Sequence, residues 1–177
     1  MFRLTESLRQ SDFERQVLPH LDAAYNLARF LMRNDQDAED VVQEAALRAF
    51  RFFEGFRGEN SRAWFLRIVR NTSFTALKRH RADEDNVVFD EELHGGQIPP
   101  MNAGASLDRA QDQQTVRAAI EQLPLEFREA ITLRELEGCS YKEIADIADV
   151  PIGTIMSRLA RARRRLQMIL SSTTEAT

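Results

Sequence analysis

The stretch that decides the fold is SYKEIADIADVPIGTIMSRLARARRRL, residues 140–166. Ser140 followed three residues later by Glu143 is the signature of a capping box, which predicts that a short helix begins there. The turn at residues 149–151 ends this helix, and a longer helix is predicted from residue 152 to about residue 170. Two helices joined by a turn of three or four residues form a helix-turn-helix.

The longer helix has two chemically different sides. At 100° per residue, one narrow stripe is apolar and must pack inward, namely Ile155, Leu159, Ala162 and Leu166. The opposite side carries Gly153, Ser157, Ala160, Arg161 and Arg164, flanked by Thr154, Met156, Arg158, Arg163 and Arg165. Small residues allow a helix to approach base edges in the DNA major groove, and arginines contact guanine or phosphate. This side therefore predicts DNA binding, although a solvated arginine-rich face is the alternative.

Two further helices are predicted upstream in the same domain, which covers residues 109–170. The pattern is helical from 115 to 123, and Pro124 suits the first turn of the next helix because its missing N–H would be unpaired there anyway. Gly138 is predicted to end that helix. The C-terminal domain is thus a helical unit that ends in the helix-turn-helix.

A first domain of three helices is predicted at residues 11–81. Pro19 lies inside the first apolar stripe, so the helix there begins late or kinks. Asn34 and the acids after it predict the start of the second helix. Glycines then leave a loop at 54–61, and the third helix is predicted from 62 to about 79. No strand or fixed repeat is predicted, which makes the fold class all-α.

The charges are segregated along the chain, although the net charge is only −4. Residues 35–54 hold six acids and two bases, and residues 57–81 hold seven bases and one acid. Residues 82–92 hold six acids and no base, and residues 151–170 hold five arginines and no acid. The two basic blocks predict two contacts with a polyanion. Residues 82–108 are predicted to form a flexible acidic linker between the domains.

Several functional classes are excluded by composition and motifs. No apolar run approaches the roughly 18 residues of a membrane span, and the N-terminus lacks a secretory h-region, so the expected location is the cytoplasm. The single cysteine, Cys139, cannot form an internal disulfide and is expected to be a small core residue rather than a redox sensor. No metal cluster, phosphate loop or nucleophile–base pair is visible. We therefore expect no cofactor, no small-molecule substrate and no enzyme activity.

Ordered motifs in both domains resemble those of extracytoplasmic-function sigma factors, the compact two-domain branch of the sigma-70 family. The first domain carries DAEDVVQE at 37–44, FRG at 56–58 and AWF at 63–65. The second carries LP at 123–124, EGCSYKEIA at 137–145, GTI at 153–155 and SRL at 157–159. The resemblance covers residues 13–166 and is weakest in the linker.

The resemblance implies specific partners for the first domain. In such proteins the acidic helix binds core RNA polymerase, which implies this role for Asp37, Asp40, Gln43 and Glu44. The same domain reads and melts the minus-ten promoter element, which needs a basic surface and a place for an extruded base. This implies that Arg57, Asn60, Arg62, Arg67 and Asn71 contact DNA. Trp64 is expected to be a core residue rather than a stacking platform, and Asp37 can alternatively serve only the helix dipole.

For the second domain, the resemblance places the longer helix in the minus-thirty-five element. The implied DNA-contacting residues are Thr154, Met156, Ser157, Arg158, Ala160, Arg161 and Arg164. The family is usually held inactive by an anti-sigma factor, so that partner is expected beside core RNA polymerase and promoter DNA. The alternative function is a helix-turn-helix regulator that binds an operator without polymerase. That alternative explains only the C-terminal half of the chain.

Overall fold

The computed structural model describes the backbone at residues 2–86 and 107–174 and the side chains at 10–83 and 112–172. Every regular element in these ranges is helical, and none of them is a strand. The predicted all-α class is therefore confirmed. Most of the predicted linker, residues 87–106, lies outside the described residues. Within the described parts, no helix is long and apolar enough to cross a membrane.

The first helical unit contains four α-helices. They are α1 (Phe2–Val17), α2 (Leu21–Met32), α3 (Asp35–Phe52) and α4 (Ser61–Asn86). Pro19 lies in a 3₁₀ turn, Leu18–His20, that separates α1 from α2, because proline cannot donate the backbone hydrogen bond that a continuous helix needs. The helix α4 runs beyond residue 79, where the sequence predicted its end, because residues 80–85 include no helix breaker.

The helices α2, α3 and α4 pack against one another around a shared apolar core. Leu27 and Leu31 of α2 and Phe65, Leu66 and Val69 of α4 are fully buried there. Asn34 caps α3 as predicted, since its side chain accepts a hydrogen bond from the backbone N–H of Asp37 at 3.0 Å. This core fixes the direction in which the exposed faces of α3 and α4 point.

The second helical unit contains the other α-helices of the described chain. They are α5 (Leu107–Glu121), α6 (Leu125–Ile131), α7 (Tyr141–Ala148) and α8 (Ile152–Thr174). A π-helical turn, Thr132–Leu136, extends α6, and Gly138 then adopts a positive φ of 66° that favours glycine and ends the segment. The core here is formed by Leu123, Ile131, Leu133, Ile144, Ile147, Ile155 and Leu159.

The two units pack directly on each other. The helix α4 lies against α7, and α2 lies against α6 and the π-helical turn. Arg128 of α6 donates a hydrogen bond to the backbone carbonyl of Leu31 at 3.1 Å, and both the donor side chain and its surroundings are buried. The cluster of buried apolar residues is continuous across the contact. The arginine-bearing side of α8 remains exposed in this arrangement.

Candidate nucleic-acid interface

The capping box holds α7 in place at the start of the helix-turn-helix. The Ser140 hydroxyl accepts a hydrogen bond from the backbone N–H of Glu143 at 3.2 Å, and the Glu143 carboxylate accepts one from the backbone N–H of Ser140 at 2.7 Å. After α7, Asp149 adopts a left-handed conformation with φ 56°, which turns the chain toward α8. The capping box and the turn were therefore both predicted correctly from the sequence. Together they set the direction in which α8 leaves α7.

Three of the four residues predicted for the apolar stripe of α8 are buried, and the fourth, Leu166, is half-buried. Ile155, Leu159 and Ala162 are at most 1% exposed. The side chains on the opposite face are exposed, namely those of Met156, Ser157, Ala160, Arg161 and Arg164, and Thr154 beside them is half-buried. Among the described residues, no ion pair engages Arg161 or Arg164. These two guanidinium groups are available to an anion.

Arg158 is placed differently from the other predicted DNA contacts of α8. Its side chain is only 16% exposed and points toward α6. Its guanidinium nitrogens lie 3.6 Å from a carboxylate oxygen of Glu126 and 3.8 Å from one of Glu129. In this arrangement Arg158 supports the position of α8, and its role as a DNA contact stays a prediction.

Four of the five predicted minus-ten residues lie at the start of α4 and along its first half. Asn60 caps the helix by accepting a hydrogen bond from the backbone N–H of Ala63 at 2.9 Å. Arg62 and Arg67 follow on α4 and are 29% and 47% exposed at their side chains. Asn71 is exposed one turn further on. The structure thus brings these four residues to one helix.

The fifth predicted residue of this set, Arg57, lies in the loop before α4. It is exposed and donates hydrogen bonds to the backbone carbonyls of Glu54 and Phe56 at 2.5 and 3.3 Å. The loop borders an open groove of about 630 Å³, whose lining is Asp12, Gln16, Phe53, Glu54, Phe56, Arg57 and Gly58. Phe53 and Phe56 give this groove aromatic walls, which suit a nucleobase.

Trp64 belongs to an aromatic cluster under this loop. Its ring centroid lies 4.8 Å from that of Phe56 and 6.3 Å from that of Phe53. Phe53 in turn meets the buried Phe13 edge-to-face at 5.5 Å. The half-buried Trp64 therefore holds the loop in place by packing against Phe53 and Phe56. This agrees with the expectation that Trp64 packs inside the protein rather than stacking on a DNA base.

The predicted polymerase-binding residues share one side of α3. Asp40, Gln43 and Glu44 are exposed, and Asp37 is half-buried in the first turn. Asp37, Asp40 and Glu44 line one wall of a groove of about 270 Å³ between α3 and α4. Glu44 accepts a hydrogen bond from Arg48 at 2.7 Å, and this contact is the main cause that lowers the pKa of Glu44.

Leu47 is a residue of this side that the motif did not identify. It is 57% exposed and lies one turn after Gln43 and Glu44. Single exposed leucines are common on protein surfaces, so Leu47 by itself does not identify a partner surface. The signal was present in the sequence, because Leu47 lies outside the apolar stripe that α3 buries through Ala38, Val41 and Ala45.

Cys139 is buried in the second unit and is 1% exposed. Burial raises the pKa of its thiol, which disfavours the reactive thiolate. The nearest cation is Arg62, whose guanidinium lies 3.7 Å from the sulfur. These surroundings are those of a small core residue.

Each of the two helical units matches a known protein family. A family described as sigma-70 region 2 matches residues 17–82, and one described as sigma-70 region 4 matches residues 113–166. The chain is 33% identical to an RNA polymerase sigma-H factor of Pseudomonas aeruginosa over 95% of this chain and 92% of that protein. It is 39% identical to an ECF RNA polymerase sigma-E factor of Escherichia coli K12 over 73% and 72% of the two chains.

A solved structure shows the same fold. The sigma factor RpoE of Bartonella quintana, crystallised with the anti-sigma factor NepR, is similar with a TM-score of 0.74 and 34% identity, over 90% of this chain and 97% of that one. The helical fold and exposed α8 therefore define a promoter-recognition protein, and the chain belongs to the extracytoplasmic-function sigma factors of the sigma-70 family. As a sigma factor it directs RNA polymerase to promoters. The alternative of an operator-binding regulator is not favoured, because residues 17–82 match region 2.

Proposed function

We propose that the first unit, residues 11–81, binds core RNA polymerase and the minus-ten element, and that residues 109–170 bind the minus-thirty-five element. The observation that carries this assignment is the division of α8 into a buried apolar stripe and an exposed side with Arg161 and Arg164. The polymerase contact and both promoter contacts then reside in one chain without enzyme activity of its own.

The polymerase contact is assigned to the exposed side of α3. Asp37, Asp40, Gln43 and Glu44 offer carboxylates and an amide to a basic partner surface, and Leu47 adds an apolar contact. Exposed charges mainly set the rate and specificity of association, and an apolar contact adds area that is removed from water. This side of α3 therefore offers both charged groups and an apolar residue to a partner protein.

The minus-ten contact is assigned to the start of α4 and the loop before it. Arg62, Arg67 and the amides of Asn60 and Asn71 are donors for the DNA backbone and for base edges. The groove beside Arg57 has a volume of about 630 Å³ and aromatic walls, which is room enough for one extruded base. Reading an extruded base requires a melted duplex, so this surface acts after polymerase has bound.

The minus-thirty-five contact is assigned to α8. Ser157 and Ala160 allow a close approach to the groove floor, while Arg161 and Arg164 provide fork-shaped donors for guanine or phosphate. Thr154 and Met156 border this surface, and Arg158 lies behind it. Base contacts at this helix provide the promoter specificity of the assembled enzyme.

Regulation by an anti-sigma factor is part of this proposal. It is supported by the resemblance to the Bartonella quintana RpoE chain, which was crystallised with such a partner. A protein of this kind acts by covering the surfaces just described. The cytoplasm, where core polymerase and promoter DNA occur, is the expected location.

A binding titration of core RNA polymerase with the chain tests the polymerase assignment. The double variant Asp40→Asn/Glu44→Gln removes two charges from the α3 side and should weaken core binding at least about fivefold, that is about 1 kcal/mol. The matched control Asp112→Asn/Asp146→Asn removes two exposed charges from the second unit and should bind core normally. Equal binding by wild type and both variants would reject the α3 assignment.

A further inference from the structure

The proposed DNA side of α8 has an apolar edge. Met156 is 54% exposed, and Ile152, one turn before it, is 49% exposed. Ala160, one turn after Met156, is exposed as well. The spacing of four residues places these three side chains in one row along the helix surface, which we call the apolar strip. The described buried core and the half-buried residues packed on it include none of the three, so packing does not account for the strip.

The apolar strip runs beside an arginine that is available to DNA. At 100° per residue, Met156 and Ala160 lie about 40° apart around the helix, and Arg164 lies about 40° beyond Ala160. Arg164 is exposed, and no ion pair engages it among the described residues. On the other flank of Met156, two N–H groups of Arg163 donate to the Glu135 carboxylate at 3.2 and 2.7 Å. A helix that binds DNA through Arg164 therefore carries the apolar strip into the same groove.

The DNA major groove offers one apolar group to such a strip. Each base pair presents hydrogen-bond donors and acceptors there, and the apolar group is the C5 methyl of thymine. A methionine side chain has no donor and only a weakly accepting sulfur, so it cannot pair with the polar edges of the other bases. Covering a polar base atom with Met156 would cost free energy, because that atom would lose water without gaining a partner. The chemistry of the strip therefore matches thymine.

The length of the apolar strip allows contact with more than one base pair. Ile152 and Ala160 are eight positions apart in the sequence, which is about 12 Å along the helix axis at about 1.5 Å per residue. Successive bases on one DNA strand are about 3.4 Å apart. Met156 lies at the centre of the strip, and its three rotatable bonds allow the side chain to follow a methyl group. The strip can therefore reach thymines on neighbouring base pairs.

We propose that the apolar strip of α8 reads thymine in the minus-thirty-five element, and that Met156 makes the selecting contact with the thymine methyl group. This inference rests on the proposed function of α8 and adds the chemical group that the helix reads. Arg161 and Arg164 then contact guanine or phosphate, while Met156 distinguishes thymine by its methyl group alone. The element must therefore contain at least one A·T pair.

Replacement of thymine by deoxyuridine tests the proposal, because it removes the methyl group and keeps every hydrogen-bonding atom of the base pair. The probe is a duplex of the promoter mapped from transcript starts, in which one thymine of the minus-thirty-five element is replaced at a time on either strand. Holoenzyme assembled from core polymerase and the full-length chain should bind at least one of these duplexes about fourfold more weakly, which corresponds to about 0.8 kcal/mol.

A variant at position 156 shows whether the methyl effect comes from the apolar contact. Met156→Gln keeps a similar side-chain length and helix propensity but makes the end of the side chain polar, so the difference between the two duplexes should fall below about twofold. The matched control Met168→Gln makes the same change at an exposed methionine of the same helix, beyond Arg164, and should keep the fourfold difference. Both positions are more than half exposed, so both variants should fold, and circular dichroism checks this.

Equal binding of all the duplexes by wild-type holoenzyme would overturn the proposal, as would an element without an A·T pair. A fourfold difference that persists in Met156→Gln, or that is lost equally in Met168→Gln, would also overturn it. Replacement of the whole element by unrelated sequence separates this failure from failure of the proposed function. If that replacement leaves wild-type binding unchanged, the proposed function of α8 is rejected. If it weakens binding while deoxyuridine has no effect, only the thymine proposal is rejected.

Discussion

The five arginines of α8 differ in what surrounds their guanidinium groups. Arg158 lies against Glu126 and Glu129, and Arg163 donates a hydrogen bond to Glu135 at 2.7 Å. Arg165 lies over the ring of Phe127, 5.3 Å from its centroid. Arg161 and Arg164 remain exposed on the proposed DNA side. The sequence placed all five on one helix, but the partners of three of them come from α6 and the π-helical turn.

Arg161→Ala should weaken promoter binding by holoenzyme by about 1–3 kcal/mol if the arginine reads a base. The physical reason is the loss of a two-pronged hydrogen bond that no water reproduces. Gln167→Ala, an exposed change on the same helix beyond the last predicted DNA contact, Arg164, is the control. Affinity measured on the mapped promoter and on variants of its minus-thirty-five element gives the answer. An unchanged sequence preference would reduce Arg161 to a phosphate contact.

Arg158→Ala should act mainly on stability. It removes a cation next to the buried Glu129 carboxylate, one oxygen of which has no hydrogen-bond partner, so we expect a loss of about 1–3 kcal/mol in the free energy of unfolding. Urea denaturation followed by circular dichroism measures this, with Arg161→Ala as the exposed comparison. If the variant has normal stability but binds the promoter more weakly, Arg158 contacts DNA and does not serve mainly to hold α8 in position.

The helices themselves were largely predictable, because each signal is local. The capping box at Ser140, the cap at Asn34 and the end at Gly138 all depend on side chains within a few residues. The π-helical turn Thr132–Leu136 was not predicted. A single extra residue in a helical turn leaves no periodic signal, and Thr132 and Leu133 within this turn are both buried.

The capping box predicts a pH effect on the second unit. Hydrogen bonds from the Ser140 backbone and the Asn60 amide lower the pKa of Glu143 below its ordinary 4.5. A lowered pKa means that the charged form stabilises the folded chain, so this contribution is present above pH 4.5 and is lost as the pH falls through the folded-state pKa.

The variant Glu143→Gln tests the effect, since its side chain does not titrate. It should be less stable than wild type by about 0.5–1 kcal/mol near neutral pH, the lower part of the range for a lost cap. The difference should shrink on acidification below pH 4.5. Urea unfolding at a series of pH values measures it. A stability gap that stays constant over the series would show that Glu143 does not act through its charge.

The packing of the two units could not be derived from the sequence. The hydrogen bonds that join them connect positions 59 to 111 residues apart, from Arg70–Glu129 to Asn26–Glu137. From the sequence alone, α4 is predicted to be a basic DNA-binding surface. The acids of the second unit are predicted to be ordinary residues on helix surfaces. Only the tertiary structure shows that the two charge patterns match each other.

The central claim is that one chain docks on core polymerase and opens the promoter through both units. Permanganate footprinting of unpaired thymines on the mapped promoter tests it most directly, with the chain alone, core alone and the two combined. Reactive thymines should appear around position −10 only in the combined sample and should disappear with Asp40→Asn/Glu44→Gln at limiting protein. Reactivity with the chain alone, or none in the combined sample, would contradict the account.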